Sequence, residues 1–337
     1  MDGRSGMSFP RKPLLMRPTF SARPWGGTFL KDRLGKPVPE GERIGESWEL
    51  SDHPNGRSTV ATEPFTGKTF GELLAAHPVE MIGVESAPER YPLLVKIIDA
   101  AEDLSIQVHP NDEQAARSGD RGKTECWYII DCEPGTEVIY GVAPGVTADQ
   151  MRAGALDGSI EGMVARHPLE PGQFLYVAAG TVHAILGGTL LCEVQQSSDT
   201  TYRLWDWNRE PKRELHVEES LDVIDWKSSG RKPFAVPPVG ALTSPVTLTD
   251  NEFFHVRVLD VLPGEPHVLP EDLSTAGTIF ITVAGEGRLH SAEGSVDLAL
   301  GAVAFLPSVC QGEARAEAVG NGPWRVLLAE SRELDGC

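Results

Sequence analysis

Positive charge is scarce in this chain of 337 residues: 30 Lys and Arg stand against 49 Asp and Glu, a formal net charge of −19. That deficit argues against nucleic acid or an anionic membrane as a partner, since both need a basic face. An anionic small substrate stays open, because a few local Lys and Arg outweigh a distant negative field at physiological salt. Cysteine is sparse too. There are five, at 126, 132, 192, 310 and 337, an odd number with no zinc-finger or redox spacing. The expectation is free thiols in a reducing cytoplasm rather than a disulfide framework. No apolar run approaches the length that spans a bilayer, and the first twenty residues carry no apolar signal core. Met7 offers an alternative start.

What is present is turn chemistry. Gly 35 and Pro 26, with 40% hydrophobic residues, suit many short strands better than long helices. The length allows two domains with real cores. Short helices are expected at Thr69 to His77, with Thr69 as N-cap, at Val146 to Ala165 and at His216 to Ile224. Residues 227 to 246 are rich in Ser, Gly and Pro and read as a linker. After it the signal is almost pure β, at Phe253 to Val261, Thr278 to Ala284, Val296 to Leu300, Ala302 to Leu306 and Trp324 to Leu328. The expected division is a large N-terminal domain over 1–228 with a helical insert, a linker over 229–246 and a small barrel over 247–337.

The most informative stretch is Leu104-Ser-Ile-Gln-Val-His109 followed by Pro110. A strand alternates faces, so Ser105, Gln107 and His109 share one face and Ile106 and Val108 the other. This describes a strand lining a polar cavity with two potential metal ligands. Downstream, Gly122-Lys-Thr-Glu125 puts Lys123 and Glu125 on one face by the same parity, with Cys126 turned away into packing. Further on, Gly172-Gln-Phe-Leu-Tyr-Val-Ala-Ala-Gly180-Thr-Val-His183 reads as a strand, a tight turn and a His opening the next strand. Each signal alone is weak: a lone His at a strand end is usually structural, and a lone Glu is usually solvated.

Together they resemble the metal site of a cupin, a jelly-roll barrel fold. Gly172, Gly180 and His183 match its second motif, with Ala178 at the usual Pro position. Gln107 replaces the first His of its paired His, and the Glu lies further out, at 125. Those departures narrow the resemblance to type I mannose-6-phosphate isomerases. Glu193-Val-Gln-Gln-Ser-Ser-Asp199-Thr-Thr-Tyr-Arg203 resembles that family's Glu and Asp-Arg signature. Trp25-Gly26-Gly27, Gly45-Glu-Ser-Trp-Glu49 and Leu94-Val-Lys-Ile97 follow in the expected order. The likeness covers roughly residues 20 to 225 and is closer to the compact bacterial form than to the longer fungal and enteric one.

The resemblance implies a mainly β protein of two cupin-like barrels, and one zinc ion per chain held by Gln107, His109, Glu125 and His183. All four are N or O donors, which suits zinc with an open position. One carboxylate leaves a formal +1 on the ion, which keeps its Lewis acidity for an enediol's oxygens. The implied reaction interconverts mannose 6-phosphate and fructose 6-phosphate through a cis-enediol. Glu193 is the first candidate for the base that moves the proton, Lys123 the second. Arg203 stabilises the enediolate or orients the sugar. Lys96, Ser105 and Asp199 are candidate substrate contacts, with Lys96 and Arg209 considered for the phosphate. By parity Glu193, Gln195, Asp199 and Arg203 share a face if their strand is unbroken, and Ser197-Ser198 is where it would break. The second barrel, with His290 alone and Val309-Cys310-Gln311 where the cupin Gly and His should follow Pro307, is expected to carry no metal. Two rivals remain. A non-haem metal cupin oxygenase would show oxygen uptake. A non-catalytic sugar-phosphate-binding cupin would show binding without turnover.

Overall fold

The computed structural model describes residues 9–227, 231–264 and 266–334. Met7, Cys337 and the first two residues of the expected linker therefore lie outside the described residues. The chain is mainly β, and its sheets are antiparallel throughout.

The chain forms two compact units, and neither is contiguous. One gathers Met1–Arg17, Ser58–Tyr91 and Val239–Cys337; the other gathers Pro18–Arg57 and Pro92–Pro238. This departs from the expected boundaries, which put everything before 228 in one domain. The cause is strand pairing over long sequence separation. Leu14–Arg17 pairs with Val303–Leu306 on one side and with Thr59–Val60 on the other, so both early segments join the late sheet.

In the unit containing 92–238, a seven-stranded sheet runs in the order 234–235, 173–177, 125–132, 189–196, 93–100, 19–27, 44–50. A five-stranded sheet runs 202–205, 106–108, 183–185, 137–142, 164–168. Trp127, Ile129 and Leu191 from the first sheet and Val138, Tyr140 and Ile185 from the second share one apolar cluster, so the two sheets face each other. Both sheets are also covered outside. Ile106, Ile139 and Ala184 pack under the helices Ala148–Asp157 and Val217–Val223. Ile97 and Leu190 pack under Leu30 of the short helix Phe29–Asp32. Strands buried on both faces explain the continuous apolar runs, and a polar residue pointing inward becomes conspicuous.

The local signals behave as capping chemistry predicts, with one shortened element. Thr69 caps Phe70–Ala76 through a capping box with Glu72. Thr147 caps Ala148–Asp157 in the same way with Gln150. That helix stops well before the expected Ala165, because Gly158 takes a left-handed conformation, φ +87°. A 3₁₀ turn follows and Val164 already starts a strand.

The other unit has a seven-stranded sheet over 246–250, 254–261, 324–331, 278–284, 303–306, 14–17 and 59–60, and a four-stranded sheet over 267–268, 315–318, 287–291 and 294–298. Phe280, Trp324 and Leu328 of the first pack with Leu289, Val296 and Ala316 of the second. His290 bonds Glu317 at 2.8 Å.

Candidate active site

Register assembles the site. In the five-stranded sheet Gln107 lies directly opposite His183 on one side and Arg203 on the other. In the facing sheet Glu193 lies opposite Lys96 on one side and Trp127 on the other. Directly opposed residues of an antiparallel pair project to the same face. Each sheet therefore contributes a cross-strand row, Arg203–Gln107–His183 and Lys96–Glu193–Trp127. Glu125, two residues before Trp127, joins the second row's face, and His109, two after Gln107, joins the first.

His109, Glu125 and His183 are all buried, and one ligand atom from each lies within 4.8 Å of the others. His109 Nε2 is 3.7 Å from Glu125 Oε2, and His183 Nε2 is 3.5 Å from Glu125 Oε1. The remaining ring nitrogens are committed: His109 Nδ1 bonds the Thr200 carbonyl and His183 Nδ1 the Thr181 carbonyl, each at 2.9 Å. A carbonyl only accepts, so Nδ1 carries the proton in both rings and Nε2 offers its lone pair inward. Burial, helped by Lys123, holds His109 well below the usual imidazole range, and it lowers His183 to about 4. Both rings are therefore neutral near pH 7, as ligation requires.

Buried Glu125 Oε1 has no hydrogen bond, while Lys123 Nζ approaches Oε2 at 3.0 Å. An unsatisfied buried carboxylate oxygen is costly. Two lone pairs and an orphaned carboxylate oxygen converging on one point fit a divalent cation. Gln107 Nε2 lies 3.3 Å from His183 Nε2, and a half-turn of the amide exchanges its nitrogen for the oxygen donor. The four residues considered as ligands are thus brought together.

Beside this cluster opens a cavity of about 400 Å³ lined by Lys96, Ser105, Gln107, Lys123, Glu193, Asp199 and Arg203, among others. Glu193 is buried, accepts a hydrogen bond from Trp127 Nε1 at 3.0 Å through Oε2, and has no hydrogen bond at Oε1. Burial, with Glu125 nearby, raises its pKa against the opposing pull of Lys123 and Lys96. Burial pulls Lys123 the other way, but Glu125 and Glu193 outweigh it and hold the ammonium charged. Lys96 Nζ lies 3.7 Å from Glu193 and 4.6 Å above the Trp48 ring. Ser105 Oγ is 3.5 Å from Gln107 Oε1, and Asp199 accepts from Asn55 at 2.9 Å.

The structure decides one reading that the sequence left open and corrects one guess. The stretch from Glu193 to Arg203 is not one strand: the strand ends at Gln196, and Tyr202–Trp205 belongs to the other sheet. Glu193 and Arg203 reach the same cavity from facing sheets, not by shared parity. Gln195 keeps the face of Glu193, opposite Glu125 in register, and turns its Nε2 to the Gln196 and Ser198 carbonyls at the break. Arg209 does not line the main cavity; it bonds Asp206 and the Asp103 carbonyl and borders a smaller pocket.

The sequence reading missed Arg23, Glu46 and Arg213 on the cavity wall. Arg23 grips Glu46 through two bonds of 2.9 Å, and Trp48 Nε1 bonds the same carboxylate at 2.7 Å. Lys96 and Arg23 pull the buried Glu46 carboxyl down to about 2, outweighing the burial that opposes ionisation. The available signal was a lysine at the centre of an apolar strand, which demands buried counter-charges.

Fold and site together define a mainly β protein with a buried His-Glu-His cluster at the edge of a charged, sugar-sized cavity. Comparison with known proteins is consistent with that class. Residues 14–133 match the model of the type I phosphomannose isomerase catalytic domain. The chain is 40% identical over 286 residues to the mannose-6-phosphate isomerase of Streptococcus mutans, covering 82% of this chain and 87% of that protein. It is 44% identical over 220 residues to mannose-6-phosphate isomerase ManA of Bacillus subtilis, covering 64% and 68%. The crystal structure of a Bacillus subtilis mannose 6-phosphate isomerase superposes with a TM-score of 0.77 at 34% identity, covering 94% of this chain and 99% of that one. The chain belongs to the type I mannose-6-phosphate isomerase family.

Proposed function

We propose that the protein interconverts mannose 6-phosphate and fructose 6-phosphate by proton transfer through a cis-enediol, with one zinc ion held by Gln107, His109, Glu125 and His183. The observation that carries this reading is the set of inward-facing His, Glu and Gln donors beside a cavity lined by the buried carboxylate of Glu193. A bound divalent cation supplies Lewis acidity toward the sugar's C1 and C2 oxygens. Everything else falls to the chain's own residues.

Glu193 acts as the base. Its Oε1 accepts no hydrogen bond and lies 3.7 Å from Lys96 Nζ, burial raises its pKa, and Trp127 fixes its orientation. It takes the C2 proton and returns it to C1, while the proton of the C2 hydroxyl passes to the C1 oxygen, leaving the carbonyl at C2. Lys123 stays charged and stabilises negative oxygen on the same side. Arg203, opposite Gln107 in register, orients the sugar or stabilises the enediolate. Lys96, Ser105 and Asp199 line the cavity and hold hydroxyls. The cytoplasmic setting expected from the free thiols agrees with a sugar phosphate as substrate, and no helix among the described residues is long and apolar enough to cross a membrane.

The test is turnover of mannose 6-phosphate in heavy water by zinc-loaded protein. The reading expects solvent deuterium at C1 of the fructose 6-phosphate formed. Complete retention of the original hydrogen would exclude an exchanging base. Full turnover by an Arg203→Ala variant would remove the role given to Arg203.

A further inference from the structure

We propose that the loop from Asp206 to His216 is a preformed phosphoryl clamp, with Arg213 as the group that binds the substrate's phosphate and Asp206 as the residue that positions it. The inference rests on the isomerase reading and adds to it the residue that binds the anion.

The loop leaves the strand Tyr202–Trp205 and returns beside it. His216 N–H donates to the Arg203 carbonyl at 2.7 Å, and Arg203 N–H donates to His216 Nδ1 at 3.2 Å. Its near end is pinned as well. Trp207 Nε1 bonds the Leu104 carbonyl at 2.7 Å and Arg209 Nη2 the Asp103 carbonyl at 2.5 Å. Trp207 and Asn208 both hold left-handed backbone, φ +57° and +51°, which a non-glycine residue adopts at a cost that the surrounding contacts must offset. The loop is therefore built to one shape.

Within it, buried Asp206 accepts from Arg213 Nε at 2.7 Å and Nη2 at 2.5 Å. That fork fixes the guanidinium plane and leaves Nη1 without a protein hydrogen bond among the described residues. Arg213 lines the main cavity together with Arg203. A planar, weakly hydrated guanidinium held in place is the form of cation best matched to phosphate.

The charge balance separates this arginine from the others. Arg23 sits in a negative field: burial opposes its charge, but Glu46 and Asp199 outweigh it and raise its pKa. Arg203 sits in a positive one: burial and then neighbouring Arg213 lower its pKa, against weaker help from Asp206 and Glu214. Arg203 Nη1 bonds only the Glu214 carbonyl, a neutral acceptor, at 2.9 Å, and its buried Nε has no partner. Two guanidiniums held close at a cavity wall, with Asp206 already shared with Arg209, leave an excess of positive charge. A dianionic phosphate relieves it. In a chain of net charge −19 such a spot is also where an anion is guided in.

The test compares wild type with Arg213→Ala, Arg213→Gln and Asp206→Asn, all zinc-loaded. Steady-state kinetics with mannose 6-phosphate are paired with calorimetric binding of inorganic phosphate. Loss of one charged hydrogen-bonding partner predicts a KM roughly 10- to 100-fold higher for Arg213→Ala, with kcat within about threefold. Phosphate binding weakens in the same proportion, and Asp206→Asn gives a smaller rise in KM. If Arg213→Ala does not fold, Arg213→Gln, which can still bond Asp206, carries the comparison. Unchanged KM and unchanged phosphate binding in whichever variant folds overturn the inference. Its failure is distinct from failure of the isomerase reading, which shows as wild-type protein without turnover while phosphate binding still depends on Arg213.

Discussion

The two units differ in how completely certain buried carboxylates are hydrogen-bonded. In the unit holding 239–337, Arg325 grips Asp260 through bonds of 2.6 and 2.8 Å, and the same carboxylate accepts the Gly240 and Leu242 N–H groups. Glu330 is likewise filled by Arg257, Ser274 N–H and Thr278 Oγ1. In the unit holding 92–238, Glu125 Oε1, Glu193 Oε1 and Arg203 Nε are buried without a hydrogen bond. Satisfied buried charge locks strands together, whereas unsatisfied buried charge is stability forgone, and it collects where a ligand or a reaction supplies the missing partner.

Ways to break this contrast can be ranked by size. If the proposed zinc site is right, His183→Ala removes a donor and Glu125→Gln removes the only anionic one, so bound zinc falls below one per chain and turnover drops by roughly 10³-fold or more. Elemental analysis beside a coupled assay reads both, and a fully active, metal-loaded variant breaks the ligand assignment. Glu193→Gln tests the base. It should lose on the order of 10²- to 10⁴-fold in kcat while keeping its metal. Arg325→Met acts on the other side of the comparison. Leaving Asp260 buried and unpaired costs about 3–5 kcal/mol of stability, read by denaturant melts, while kcat of the folded fraction is unchanged.

The smallest effect sharpens the contrast through pH. Burial raises the Asp99 carboxyl to about 6, although the Leu30 and Phe29 N–H groups pull it down. The folded state therefore holds a proton that the unfolded state releases near 3.8. Stability then declines as pH rises from about 4 to about 7, by ~2 kcal/mol. Asp99→Asn should flatten that slope in melts recorded across the window. An unchanged slope would show that the carboxyl ionises as freely folded as unfolded.

The legibility of the chain follows sequence distance. Gln107 and His109 were readable because strand parity links residues two apart, and Lys123 with Glu125 for the same reason. His183 was readable from a glycine turn, and Gly180 does hold left-handed backbone, φ +83°. Arg23 and Glu46 were not, because register across strands far apart in sequence brings them to the cavity, and neither was Arg213, which a loop carries there. The same cause hid the placement of 9–17 and 58–91 with the C-terminal strands. The break at Ser197-Ser198 was visible as an option, but the switch of Arg203 to the facing sheet is a tertiary event.

The central claim is that the buried donors around Glu125 are a zinc site that drives sugar-phosphate isomerisation. The most direct test incubates purified protein with mannose 6-phosphate before and after a chelator, then after zinc is returned. The account predicts fructose 6-phosphate formation, its loss on chelation and its recovery with about one zinc per chain. Turnover that persists at full rate in metal-free protein would contradict it.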